Sequence, residues 1–159
     1  MMYDPAVSCC FTGHRTLPRE EESAIRSRLA QSVLKLYREG FRAFIAGGAL
    51  GFDTVAAEVV LALKAKLTGI SLVLVLPCAN QAARWREADR ARYEAIKEKA
   101  DEVICLSPYY YDGCMQVRNR HMVEISCACI AYMTNPYSGA GQTVRMAEKA
   151  HLRVINIAR

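Results

Sequence analysis

Residues 70–76 read ISLVLVL, an apolar run broken by a single serine. It is far shorter than the roughly 20 residues needed to span a bilayer. It does not alternate apolar with polar, as a strand with one wet face would. A continuous run of leucine and valine suits a strand in a parallel sheet covered on both faces. Moving outward, similar short runs recur at 7–11 (VSCCF), 42–46 (RAFIA), 102–106 (EVICL), 127–133 (CACIAYM) and 153–157 (RVINI). Stretches of helical period separate them. Ile25, Leu29, Val33, Leu36 and Tyr37 repeat at near three-to-four spacing, with Pro18 expected in the first turn and Gly40 as the stop. Further helices are expected over about 54–67, the second half of 78–100, 115–125 and 143–150. Strand and helix thus alternate about six times. The pattern predicts an α/β fold: a three-layer parallel sheet of about six strands with helices on both faces, forming a single domain over 1–159.

The 159 residues suffice for one proper core, and 52% are hydrophobic against 23% charged. The net charge of +5 is spread among acids, as in REEESAIRSR (19–28). Such scatter fits solvated helix faces and a mild preference for anionic small molecules. A nucleic acid is not a demanded partner, because no basic stripe stands out. Seven cysteines show no metal spacing, and neither a metal site nor a disulfide framework is expected. Most sit in the strand runs, where a reduced cysteine acts as a small hydrophobe; Cys78 and Cys114 are the alternatives for a reactive thiol. No signal-peptide pattern opens the chain, and no run is long enough for a membrane, so a cytoplasmic location is expected.

Open parallel sheets bind ligands outside the carboxyl ends of their strands. That rule nominates the loops TGHR (12–15), GGALGFDT (47–54), PCANQ (77–81), SPYYYDG (107–113) and NPYSGAGQT (135–143). In the second of these, Gly47, Gly48 and Gly51 lie between a strand and a helix start, where free N–H groups and a positive dipole end face an anion. The spacing is neither the dinucleotide fingerprint nor a Walker loop. Asp53 would repel phosphate, so it is expected to cap the helix or to accept ribose hydroxyls, with Thr54 beside it. In the first loop Thr12 offers a hydroxyl, Gly13 a close backbone approach, His14 a hydrogen-bonding ring and Arg15 a fork matched to phosphate. Ser138, Gly139, Gly141 and Thr143 form a second glycine-bearing helix entrance. Arg118 and Asn119, on one helix with Met115 and Met122, are placed to reach the same cleft. Tyr109, Tyr110 and Tyr111 either stack on a base or cover the sheet edge.

In this order, TGHR, GGALGFD, the RN of 118–119 and SGAGQT resemble the SLOG superfamily, and within it the YpsA-like branch. GGALGFD is also similar to the G-x-x-G-I-D loop of DNA-processing protein A, with Phe52 in place of isoleucine. The resemblance spans almost the whole chain and implies a Rossmann-like fold holding a nucleotide or nucleotide-derived ligand, without a further cofactor. The same superfamily contains LOG phosphoribohydrolases, which cleave nucleoside monophosphates. Met115, Arg118 and Asn119 match their M-x-x-R-K with asparagine for lysine. Thr143 matches the second LOG motif, but Met146 stands where that motif has its glutamate. A glycosidic hydrolase needs a carboxylate, and Asp53 is the replacement in these loops, with Arg118 as its phosphate-holding partner. The leading expectation is therefore a nucleotide-binding sensor or processing domain. The alternatives are an N-glycosidic hydrolase using Asp53 and Arg118, and a single-stranded DNA-binding module. Homo-oligomer formation is also considered, since related α/β domains often pair through helices.

Overall fold

The computed structural model describes residues 3–158. Within them six strands, β1 (Ser8–Gly13), β2 (Ala43–Ala46), β3 (Ser71–Leu76), β4 (Glu102–Cys105), β5 (Ala128–Tyr132) and β6 (Arg153–Asn156), form one sheet. All five pairings are parallel, in the order β4-β3-β2-β1-β5-β6. Five helices connect them: α1 (Glu22–Arg38), α2 (Phe52–Lys64), α3 (Glu87–Lys99), α4 (Cys114–Glu124) and α5 (Gly139–Lys149).

Both faces of the sheet are covered, as the unbroken apolar runs require. Successive side chains along each strand enter opposite cores. Phe11, Phe44, Leu72, Leu74, Leu76 and Ile130 pack with α1, α2 and α3 on one face. Cys10, Ile45, Val73, Val75, Cys129 and Ala131 pack with α4 and α5 on the other. Of the predicted α1 stripe, Ile25, Leu29, Val33 and Leu36 are fully buried and Tyr37 is half-buried. Of the seven free cysteines, Cys9, Cys10, Cys78, Cys114 and Cys129 are buried, Cys127 is half-buried and Cys105 is exposed.

Beyond shifts of one or two residues at strand ends and at α4, three helices differ from the sequence reading. Pro18 does not begin α1; it precedes a 3₁₀ turn over Arg19–Glu21, and α1 starts at Glu22. Helix α2 begins at Phe52 rather than Thr54 and ends at Lys64, before the 67 expected for it. Helix α5 begins four residues before Thr143, at Gly139. In that last case the Ser138 hydroxyl accepts the Gly141 N–H at 3.1 Å, a side-chain cap that draws Gly139–Thr143 into the helix.

The strand order places the topological switch at β1. Its following neighbours in the chain, β2 to β4, lie to one side, and β5 and β6 lie to the other. Two contacts shape this region. Phe52 is buried beneath it, its ring stacked on Tyr132 (6.1 Å, 20°) and edge-on to Phe11 (6.4 Å, 69°). The Phe52 N–H donates to the His14 carbonyl at 3.0 Å, which draws the loop after β1 onto the start of α2. That approach passes over Gly51. A Cβ there would lie 2.3 Å from the Arg15 carbonyl oxygen, and its φ of +77° disfavours any side chain.

Gly51→Ala is therefore expected to destabilise the fold by roughly 2–4 kcal/mol, from left-handed backbone strain plus overpacking. In urea denaturation the midpoint should fall with an unchanged slope.

Candidate functional site

The last residues of β1, Thr12 and Gly13, and the loop after it, with His14 and Arg15, lie at the carboxyl end of the sheet. The His14 ring closes the switch point: its Nε2 accepts the Thr134 N–H at 2.9 Å, just beyond β5. A backbone N–H can only donate, so Nε2 is unprotonated and the proton of the neutral ring sits on Nδ1. The Thr134 hydroxyl lies 3.0 Å from the same nitrogen, and the ring stands edge-on to Tyr132 at 5.8 Å. Burial lowers the His14 pKa below its ordinary 6.5. His14 is thus a neutral clamp between two loops.

Asp53 and Arg118 form the floor. Arg118, in the second turn of α4, is 5% exposed. Its Nη1 donates to the Gly47 carbonyl at 2.5 Å, and its Nε to Asn119 Oδ1 at 2.7 Å. Met115 Sδ lies 3.7 Å from Nη2. Asp53 does not cap α2; it is the second helical residue, and its Oδ2 accepts the Ala49 N–H at 3.2 Å. Burial raises the Asp53 carboxyl above its ordinary pKa, opposed by the charge of Arg118 and by the Ala49 N–H. Burial likewise lowers Arg118, opposed by Asp53. Gly47 separates the two: a Cβ there would lie 2.5 Å from Arg118 Nη1 and 2.9 Å from Asp53 Oδ2.

The third wall is the start of α5, with Ser138, Gly139 and Ala140. The Ser138 hydroxyl also donates to the Asn135 carbonyl at 2.6 Å, so it is committed to its own turn. Together these elements enclose a cleft of about 270 Å³. It gathers Thr12, Gly13, His14, Arg15, Asp53, Arg118, Asn119, Ser138 and Gly139 from the sequence-derived set, along with Met115 and Met122.

The remaining nominated residues lie outside it. Gly47 and Gly48 pack against Arg118 and Leu76, and Gly51 against the backbone of the first loop. The Thr54 hydroxyl donates to the Ala49 carbonyl at 2.9 Å. Gly141 faces the Pro136 carbonyl so closely that a Cβ would lie 2.2 Å from its oxygen. Thr143 is fully buried, with its hydroxyl on the Gly139 carbonyl at 3.1 Å. Gly47, Gly48, Gly51 and Gly141 thus meet protein atoms closely, whereas Gly13 and Gly139 line the cleft beside the side chains. Ala49, Ala140 and Phe11 also line it; apolar, they carry no chemical signal that a sequence reading could find.

The model of the YspA SLOG family matches residues 11–153, from the last part of β1 to the first residue of β6. The chain belongs to this family. A UPF0398 protein of Halalkalibacterium halodurans is 36% identical over 104 residues, 64% of this chain and 55% of that protein. A UPF0398 protein of Bacillus cereus is 29% identical over 109 residues, covering 67% and 59%. The matched stretch thus spans little more than half the length of these relatives. Among solved structures, DNA processing protein A from Streptococcus pneumoniae shares the fold with a TM-score of 0.67 and 17% identity, over 94% of this chain and 49% of that one. DNA processing protein A from Helicobacter pylori, described for its single-stranded DNA binding mode, gives 0.62 and 21%, over 95% and 64%. The Rossmann-like sheet is therefore shared with these two proteins. Among the described residues no helix is long and apolar enough to cross a membrane.

Two outcomes follow from the charges. Because folding lowers the His14 pKa, the unfolded chain takes up the proton first as pH falls below about 6.5. The stability from neutral His14 is complete above that value and is lost as pH falls towards the folded pKa. The advantage of wild type over His14→Ala, about 1 kcal/mol from the bond to Thr134, should narrow between pH 7.5 and 5.5 in paired thermal melts. Arg118→Met should cost about 3 kcal/mol by leaving Asp53 buried without its counter-charge. The Asp53 carboxyl should then titrate higher still, as read by carboxyl-carbon NMR.

Proposed function

We propose that this SLOG domain binds a nucleotide or nucleotide-derived small molecule in the cleft at the β1/β5 switch point. The observation that carries this reading is the mixture of groups in one cleft. A guanidinium (Arg15), a buried carboxylate (Asp53), a hydroxyl (Thr12) and an amide (Asn119) share a space of about 270 Å³ at the ligand-binding edge of a parallel sheet. A guanidinium fork matches phosphate, a carboxylate accepts sugar hydroxyls, and neither alone needs the other beside it. The family membership supports the same class of ligand.

A second reading, N-glycosidic hydrolysis, draws on one specific feature. Asp53 is a carboxylate in the cleft whose pKa burial raises, as suits a group that handles protons. Single-stranded DNA binding, described for the Helicobacter pylori neighbour, is carried here by the shared fold alone.

The test is a thermal-shift panel of nucleoside mono-, di- and triphosphates, dinucleotides and oligodeoxynucleotides. At about 100 times Kd a true ligand adds about 2.7 kcal/mol, roughly 5–10 °C for a chain of this size. Arg15→Ala should abolish the shift. Release of free base, lost in Asp53→Asn while binding persists, would favour the hydrolase. A shift with oligodeoxynucleotides alone would overturn the small-molecule reading.

A further inference from the structure

On the face of the sheet covered by α1, α2 and α3, a trough of about 690 Å³ runs between α2 and α3, and no residue of the cleft lines it. Its floor is apolar: Leu61, Ala62 and Ala65 from one helix, Ala95 and Ile96 from the other. Ile96 is buried and Leu61 half-buried, whereas the three alanines are exposed. An open apolar trough between two packed helices is the shape that receives the ridge of a further helix.

The two helices run in the same direction, because each carries the chain back between neighbouring parallel strands. An ion pair fixes their register: Arg92 donates to the Glu58 carboxylate from Nη2 at 2.7 Å and from Nε at 3.0 Å. Further along, positions 61 and 62 lie level with 95 and 96, and 65 lies level with 99. Both sets follow the same i, i+3, i+4, i+7 spacing, so each presents one continuous face to the trough.

Charge decides what fits. Glu58 also accepts a hydrogen bond from Arg26 Nη2 at 2.9 Å, and Arg26 Nε lies 3.1 Å from the Glu22 carboxylate. Lys64 is paired with Asp101. The walls therefore hold both signs in near balance, with Lys99 at the open end. A strongly acidic or basic partner would find most of its counter-charges already engaged, whereas a second copy brings the same alternation of signs. About a two-fold axis running along the trough, α2 of one protomer faces α3 of the other at the same level. Glu58 then stands opposite the partner's Arg92, and Arg92 opposite the partner's Glu58, in a square of alternating charge. The apolar floors meet beyond that square, and Lys99 lies over the partner's Ala65. We propose that the chain dimerises through this trough, α2 of each protomer against α3 of the other. Such an interface is isologous, and it turns both carboxyl edges the same way, so the two clefts open on one side of the dimer.

The experiment is sedimentation equilibrium of the full chain at micromolar concentration. Wild type should sediment with twice the mass of the 17.7 kDa chain. Ala95→Arg, which places a long cation on the exposed floor without touching the core, should weaken dimerisation at least tenfold with an unchanged circular dichroism spectrum. Glu58→Arg sets like charges against each other across the axis, as does Arg92→Glu, and each alone should be monomeric. Mixed in equal amounts, the two variants should form a one-to-one dimer in native mass spectrometry, because every cation then faces a carboxylate. A monomeric wild type overturns the proposal. So does a dimer that Ala95→Arg leaves intact, since the contact would then lie elsewhere. Folded charge variants that stay monomeric when mixed overturn the two-fold pairing and the proposal with it. Should either charge variant fail to fold, the mass of Ala95→Arg decides.

Discussion

The buried hydrogen bond from Arg118 to the Gly47 carbonyl is the constraint on which the site is built. It joins α4 to the loop between β2 and α2, two segments far apart in sequence. A guanidinium taken from water at this depth costs several kcal/mol unless its donors are used. Here Gly47, Asn119 and the field of Asp53 compensate it. That requirement explains why position 47 has no side chain, since a Cβ would collide with the guanidinium. It also explains why Asp53 stays ionisable in a buried place. The floor of the cleft is thus a charge-balanced unit whose members lose their rationale one by one if any is removed.

Above that floor, the roles of the cations divide. Arg118 is spent on the protein itself, while Arg15 is exposed at the rim. His14 is also committed, to Thr134, and burial keeps it neutral. Among the described residues the cleft therefore presents one outward-facing positive fork, one carboxylate and several hydroxyl and amide groups.

Much of the fold was legible in the sequence because it depends on burial patterns. The ISLVLVL run and its neighbours carry the mark of two-sided burial, and the α1 stripe repeats at helical period; each of these became what its pattern implied. Helix starts were less legible. Gly139–Thr143 looks like loop by propensity, yet the Ser138 cap and the fit of Gly141 against Pro136 make it helix. For the site, sequence showed where chain segments crowd together but not what crowds them. The glycines of 47–51 do accept a close approach, and the approaching atoms are Arg118 and the carbonyls of residues 14 and 15. The spacing of Arg118 with Met115 and Met122 placed it near the cleft, but not its burial, because the carbonyl that receives it lies 71 residues away. Trp85 sits in a stretch without strong period, and only its edge-on packing against Tyr93 shows that the ring is held in place.

The order of the strands has a consequence for how the sheet comes into being. β1 is the first strand made, yet it lies in the interior and needs β5 on its second edge. As the chain is synthesised from its amino end, β2, β3 and β4 can add to one side in turn, but the opposite edge of β1 must wait for residues 128–132. Through that interval a strand of SCCFTG presents open backbone hydrogen-bonding groups, the condition under which edges pair with the wrong partner. The same late arrival means that the switch point is finished late: its two sides meet only when β5 docks and Thr134 reaches His14.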